Sequence, residues 1–321
     1  MSKRSIGEKM VNVVKTWSED HTRKFEKEIV TFKHSLDETG LFSDEALIEL
    51  LEKHPSELTD VCTMGDPNHP VYPNRFRTGD FRDVPGKVII DAAKAGQVWI
   101  NLRQAMNVHP EYKKVLDAMY GGIGEAINRK PYDANGGILI SSPIAKVPYH
   151  FDKTHIILWH VRGKKRIYIY PQEEQFIPDR AYESKMLKYL DDDLPYTKAF
   201  EEHAQYFDLE EGQAITWPLN SPHRVDNREF CVSVTTEYST RESRIKNACM
   251  VANATLRYKF GIESSYREST PVHRQLKSIF GYGIKKAGWV PTEDLEDLVT
   301  FKLDPKVKNY IVDTEPFQRN F

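Results

Sequence analysis

The chain has 321 residues, 40% of them hydrophobic and 11% aromatic, enough apolar mass for a sizeable core and too much for wholesale disorder. Its 45 Lys+Arg and 47 Asp+Glu leave a formal charge of −2, which gives no support to a nucleic-acid partner or an anionic membrane surface. Three cysteines (Cys62, Cys231 and Cys249), far apart and odd in number, exclude a disulfide scaffold and a paired-cysteine zinc site. Any metal must therefore be held by His and carboxylate.

No apolar run approaches the ~20 residues that a membrane helix needs. The start, Met1-Ser2-Lys3-Arg4, leads into Gly7-Glu8-Lys9 rather than into the apolar stretch of a secretory signal. A cytoplasmic location is the expectation.

In chain order, residues 1–20 are polar and aperiodic, and Glu28 to Phe32 predicts a short strand. A helix then has a visible start: Ser43 as N-cap, Asp44 and Glu45 in the first turn, and Leu47, Leu50 and Leu51 on one face, ending at His54-Pro55. Residues 65–85, rich in Pro, Gly, Asn and Asp, read as a long loop. Val88-Ile89-Ile90 and Val98 to Leu102 predict two strands separated by Ala-Gly. A helix follows from about Pro110 to Ile127, with Val115, Met119 and Ile123 at helical spacing.

Strands then arrive densely, at 138–140, 147–151, 156–161 and 166–170. After a polar, helical stretch from Pro171 to about Ala204 they resume at 206–207, 214–217, 223–225 and 230–236. Many short strands with turn residues between them indicate a sandwich or barrel. The tail reads as helical. Thr270-Pro271 is an N-cap and N1 pair, Val272, Leu276, Ile279 and Phe280 form an apolar face, and a second helix starts at Thr292 with Leu295, Leu298 and Val299.

The chemistry concentrates at His150-Phe151-Asp152. Residues i and i+2 of a strand share a face, so imidazole and carboxylate converge. His223, at the start of a later strand, supplies a third ligand. Two His and one carboxylate on one face of an octahedron leave three positions open, as in non-haem Fe(II) oxygenases. The tripeptide alone is a weak signal in a chain with 11 His, and a buried core histidine is the plainer reading of His150 taken singly. His109-Pro110-Glu111 is set aside because Glu111 suits the first turn of a helix and no second His lies near it.

Context adds Val161-Arg162-Gly163-Lys164-Lys165-Arg166 and Tyr168-Ile169-Tyr170-Pro171 after the tripeptide. Asp208 to Gln213, Trp217-Pro218 and Ser221-Pro222 precede His223, and Cys231 to Thr236 follows it. In this order and spacing, over residues 137–240, the sequence resembles the JmjC-type, cupin-like Fe(II)- and 2-oxoglutarate-dependent oxygenases.

The resemblance implies a mainly β fold with helical additions: a double-stranded β-helix (jelly-roll, cupin-like) barrel with N- and C-terminal helices. It divides the chain into an N-terminal helical and loop extension (1–85), an oxygenase core (86–245) with a helical insert (172–203), and a C-terminal helical extension (246–321). It implies His150, Asp152 and His223 as Fe(II) ligands and catalytic residues, and Lys165 as the cation that grips the far carboxylate of 2-oxoglutarate. Lys164 and Arg166 read as an exposed basic turn.

Three positions depart from the pattern. Relatives often carry Thr and Asn near the cosubstrate where this chain has Val147 and Ile156, and the usual Gln is His160. His160 shares a strand face with Ile156 and Leu158, so it is read either as an inward contact to cosubstrate or substrate or as a satisfied core histidine. Thr235 or Thr236 is left to supply the lost hydroxyl.

Trp99, Asn101 and Arg103 alternate along an early strand and are candidates to line the pocket, while Trp159 and Trp217 read as core. Tyr238 and Arg241 are weaker candidates to reach an anionic substrate. Asp191-Asp192-Asp193 reads as a solvated loop. Gly121-Gly122-Ile123-Gly124 lacks the strand before it and the Lys-Ser/Thr after it that a phosphate loop requires.

The implied activity is that of a 2-oxoglutarate-dependent dioxygenase. Such a hydroxylase uses Fe(II), 2-oxoglutarate and O2 to oxidise an unactivated C–H of a small molecule or protein side chain, releasing succinate and CO2. The second reading is a cupin that binds metal or a small ligand without oxidation, such as a sugar isomerase. The apolar face of the 270–286 region reads either as a homodimer contact, since related hydroxylases often pair through helices there, or as cover for the barrel.

Overall fold

The computed structural model describes residues 13–65, 76–187, 194–290 and 297–321. After a short helix α1 (Glu19–Lys24) come β1 (Val30–Lys33), α2 (Asp44–Lys53), β2 (Thr59–Met64) and β3 (Phe76–Asp80). The middle of the chain holds α3 (Gly86–Lys94), β4 (Trp99–Leu102), α4 (Ala105–Val108), α5 (Pro110–Ile127) and β5 (Tyr132–Ser141). Four elements then surround the candidate site: β6 (Lys146–His150), β7 (His155–Arg162), β8 (Lys165–Ile169) and α6 (Asp179–Leu187). Next are β9 (Gln205–Leu209), β10 (Gln213–Thr216), β11 (His223–Asn227) and β12 (Cys231–Ser239). The described chain ends with α7 (Arg241–Phe260), α8 (Pro271–Lys286), β13 (Leu298–Leu303) and β14 (Ile311–Gln318).

Two sheets face each other. The larger runs β1-β10-β7-β12-β5-β4-β2-β3-β13-β14 and the smaller β6-β11-β8-β9. The barrel interior lies between them, where Ile156, Leu158, Ile215 and Trp217 of the large-sheet side meet Ile167, Ile169, Leu209 and Val225 of the small sheet. Strand alternation explains the split. The intervening residues Ile157, Trp159 and Val161 of β7 point to the opposite face, where they join the larger core under α2, α3 and α5. This is the double-stranded β-helix with helical additions that the strand spacing and the family resemblance imply.

The helix at Ser43 forms as read, with the Ser43 hydroxyl accepting from the Ala46 N–H and Leu47 and Leu50 buried. α5 begins at Pro110 and buries Val115, Met119 and Ile123. Several expectations are corrected. Val88-Ile89-Ile90 belongs to helix α3, because Gly86, Ile89, Ile90 and Ala93 continue a helical stripe that outweighs a three-residue β-branched run. Leu298 and Val299 open a strand, because β13 pairs with β3 in parallel and β14 antiparallel; Thr292 and Leu295 lie outside the described residues, as do Asp191-Asp192-Asp193 and residues 66–75. Within the expected 65–85 loop, Phe76–Asp80 instead forms β3, because β2 and β13 pair with it on either side. The 1–85 and 246–321 sections, read as helical and loop extensions, also supply β1, β2, β3, β13 and β14 to the large sheet.

The last correction concerns α8. Its buried side is Ser278, Gly281 and Ile284, whereas Val272, Leu276, Ile279 and Phe280 are exposed. Small residues win because they let α8 approach α7 closely: a Cβ at Gly281 would lie 1.9 Å from the Ala248 carbonyl oxygen. No helix among the described residues is long and apolar enough to cross a membrane.

Gly281→Ala is therefore expected to destabilise the fold by about 1–3 kcal/mol through overpacking. Gly283→Ala, where a Cβ meets nothing within 4 Å, should be neutral or stabilising by up to about 1 kcal/mol. Chemical denaturation of the two variants checks the contrast; equal stabilities would refute the close approach.

Candidate metal centre

β6 and β11 pair antiparallel with His150 opposite His223. The two rings lie 4.2 Å apart between centroids. β6 ends at His150, and the loop that follows keeps the alternation going. Phe151 turns outward to pack on Tyr182 at 4.6 Å, while Asp152 turns back so that its Oδ2 lies 3.3 Å from His223 Nε2. One ligand atom from each of His150, Asp152 and His223 lies within 4.8 Å of the others, a spacing that one small cation can bridge.

Backbone contacts orient both imidazoles. His150 Nδ1–H donates to the Pro148 carbonyl at 2.8 Å, and His223 Nδ1–H donates to the Ser221 carbonyl at 3.0 Å. A carbonyl can only accept, so each ring carries its proton on Nδ1 and leaves the Nε2 lone pair free for a metal. Burial, with the neighbouring His150, pushes His223 down to about 3, which keeps it in the neutral, ligating form. Asn220 holds the third ligand in place, its Nδ2 donating to the Asp152 backbone carbonyl at 2.6 Å.

Lys165 opens β8 on the inward face shared with Ile167 and Ile169. It is only 3% exposed, and burial drives its pKa down. Among the described residues its ammonium has neither a hydrogen-bond partner nor an ion-pair partner. A buried cation without a counter-charge is costly, so the position calls for an anion. Lys165 pairs with Asn227 and Ile169 with His223, so four strand residues, or ~13 Å, separate the lysine from the imidazoles along the sheet. Asn227, across from Lys165, keeps a buried Oδ1 without a partner.

The inward face of β12 joins the two ends. His160 lies opposite Ser233, Leu158 opposite Thr235, and Ile156 opposite Glu237. The His160 ring is fully used: Nε2–H donates to the Gly163 carbonyl at 2.8 Å, and Nδ1 accepts from the Ser233 hydroxyl at 3.1 Å. That anchors the turn before Lys165, where Gly163 has φ 86° and a Cβ would strike the Phe230 carbonyl. Of the two threonines, Thr236 faces the other core and accepts from Trp159 Nε1 at 2.9 Å. Thr235 faces inward, half-buried, with no partner for its hydroxyl among the described residues.

Asn101 borders the same space beside Gly137, whereas Trp99 stacks on Phe76 at 4.6 Å and Arg103 pairs with Asp60 at 3.2 Å. Trp159 is core, and Trp217 packs 4.6 Å from the His223 ring. Tyr238 is turned away from the barrel and donates to Glu26 at 2.7 Å, and Arg241 is exposed.

Two residues escaped the sequence. Glu237 sits inside the barrel, its carboxyl pushed up by burial and by the Asp152 carboxylate, and accepts from the Thr154 hydroxyl at 3.0 Å. Alternation from Ser233 through Thr235 was its available signal. Asn220 has φ 65°, and a turn asparagine before Ser-Pro was the only hint of it.

Two further histidines carry a pH signature. His34 Nδ1 accepts from the Leu36 N–H while its Nε2–H donates to the His160 carbonyl. Burial lowers His34 to about 4 and His160 to about 3 from an ordinary 6.5. The unfolded chain therefore binds more protons below pH 6.5, and the stability present above that value is lost as pH falls toward 4 and then 3. Thermal melts should show a falling midpoint below about pH 6.5, with each histidine contributing at most ~1.4 kcal/mol per pH unit. His160→Gln should shallow the slope, and an unchanged slope would contradict its burial as a neutral ring.

No protein-family model and no curated protein matches the sequence. Solved structures do resemble it in shape. A crystal structure of Escherichia coli YcfD superposes at a TM-score of 0.50 with 14% identity over 85% of this chain and 70% of that one. YcfD described as a ribosomal oxygenase in complex with cobalt and 2-oxoglutarate gives 0.45 and 14% over 88% and 73%. The fold of this chain is accordingly that of the JmjC-type, cupin-like oxygenases.

Proposed function

We propose that the chain is an Fe(II)- and 2-oxoglutarate-dependent oxygenase that hydroxylates an unactivated C–H of a small molecule or a protein side chain. The observation that carries this reading is the pairing, in one barrel, of a convergent His150, Asp152 and His223 set with a buried, uncompensated Lys165. Two neutral imidazoles and one carboxylate suit a ferrous ion and leave it with about one net positive charge. Iron and 2-oxoglutarate, when bound, would supply the O2 chemistry that yields succinate, CO2 and an oxidised substrate carbon.

The protein's own contribution is positional. His150 and His223 would offer Nε2 atoms already aimed by the Pro148 and Ser221 carbonyls, and Asp152 would be steadied through its backbone by Asn220. Lys165 would hold the remote carboxylate of the diacid by a charge-assisted hydrogen bond in a low-dielectric setting. The distance along the strand suits a long lysine side chain and a five-carbon diacid laid end to end. Thr235 would give that diacid a hydroxyl contact, and His160 would act by fixing the Gly163 turn rather than by touching it. Leu158, Ile215 and Trp217 exclude water from the space between.

Succinate release with Fe(II), 2-oxoglutarate and O2 tests this directly. Asp152→Ala and His223→Ala should abolish it, and wild-type turnover in either variant would refute the metal assignment. Lys165→Met should weaken 2-oxoglutarate on the order of tenfold or more while leaving Fe(II) binding intact. The same variant should melt at a higher temperature than wild type when no diacid is present, since an unpaired buried charge is gone. Fe(II) binding without any 2-oxoglutarate chelation band under anaerobic titration would favour a non-oxidative metal cupin instead.

A further inference from the structure

Behind the triad, between α6, α7 and the start of α8, lies a second cavity of about 320 Å³ whose wall includes Tyr182, Asn220, Lys246, Tyr266, Arg267 and Arg274. Its charges do not balance. Arg267 is neutralised, its Nε lying 2.6 Å from Glu174 and 3.2 Å from Asp179. Asp179 is in turn saturated, since its other oxygen accepts from the Ser265 hydroxyl and the Tyr266 N–H.

That leaves two cations without a paired carboxylate among the described residues. The Lys246 ammonium has only ring contacts, 5.3 Å from Tyr182 and 5.6 Å from Tyr266. Arg274 lies 4.3 Å over Tyr266 and donates only to the Tyr266 and Arg267 backbone carbonyls. Burial and nearby Arg267 hold Lys246 down to about 8, against the weaker pull of Asp179 and Glu242. Asn220, 3% exposed, keeps a buried Oδ1 without a partner on the same wall.

We propose that this cavity binds a small phosphate monoester, its dianion drawn to Lys246 and Arg274 and a hydroxyl on its organic part donating to Asn220 Oδ1. Two unpaired cations match a doubly charged group, and the Tyr faces confine them to one mouth. The site is also mechanically joined to the triad. The other end of the Asn220 amide holds the Asp152 carbonyl, and Tyr182 packs on Phe151. An occupant would therefore tighten the loop that carries the carboxylate ligand. The inference needs neither metal nor diacid and stands apart from the oxygenase reading.

Calorimetric titration of the full chain, free of metal, with glycerol 3-phosphate and with inorganic phosphate tests it. Saturable binding of glycerol 3-phosphate, tighter than that of inorganic phosphate, is expected. Lys246→Gln and Arg274→Gln should each weaken it on the order of tenfold or more, while Lys246→Arg should retain it. Inorganic phosphate binding as tightly would overturn the ester assignment. Failure of glycerol 3-phosphate to saturate, or affinities unchanged in both glutamine variants at wild-type melting temperature, would overturn the site altogether.

Discussion

Two imidazoles from distant parts of the chain meet because β6 and β11 pair with His150 directly across from His223. Side chains alternate along a strand, so a slip of one residue would send one ring into the barrel and the other out of it. The register is held by apolar residues on both strands' inner faces and by β8, which pairs with β11 from His223 to Asn227 without interruption. The single irregularity, between His223 and Val225 where β11 meets β6, falls beside the cluster itself. Bulges and shifts of this kind re-aim side chains where a sheet approaches a functional centre.

From that pairing the polarity of the whole barrel follows. One end gathers two imidazoles and two carboxyl groups, Asp152 and Glu237; the other gathers Lys165; the stretch between them is aliphatic and aromatic. Each charged end is costly when alone, the acidic end favouring a cation and the lysine an anion. An interior so divided gains stability from what it binds.

Much of this was legible in the amino-acid sequence, for stated physical reasons. The period-two pattern and turn residues between 138 and 236 specify the barrel strands, and the Ser43 and Pro110 starts specify two helices. The three candidate ligand positions follow from strand alternation together with a resemblance in motif order. Tertiary context hid the rest. Val88-Ile89-Ile90 has strand-like composition, yet its flanks complete a helical stripe against α2. β13 has no local signature that distinguishes it from a short amphipathic helix, because its partner β3 lies near the other end of the chain. The exposed stripe on α8 misleads because close approach to α7 rewards Ser278 and Gly281 over larger residues. Glu237 and Asn220 were hidden because a carboxylate in a strand and an amide in a turn both have ordinary surface explanations.

The parallel pairing of β3 with β13 bears on when the molecule can be completed. Phe301 lies directly over Gly79, so that a Cβ there would collide with its ring. A polypeptide emerging during translation would present β2 and β3 long before residues 298–303 exist to cover them. The margin of the large sheet must stay open through most of synthesis, a state in which unpaired strand edges invite association with other chains. The barrel strands β5 to β12 all lie within residues 132–239, so they can be assembled earlier. Final closure of the sheet is therefore a late, long-range event whose entropic cost places it among the slower steps of folding.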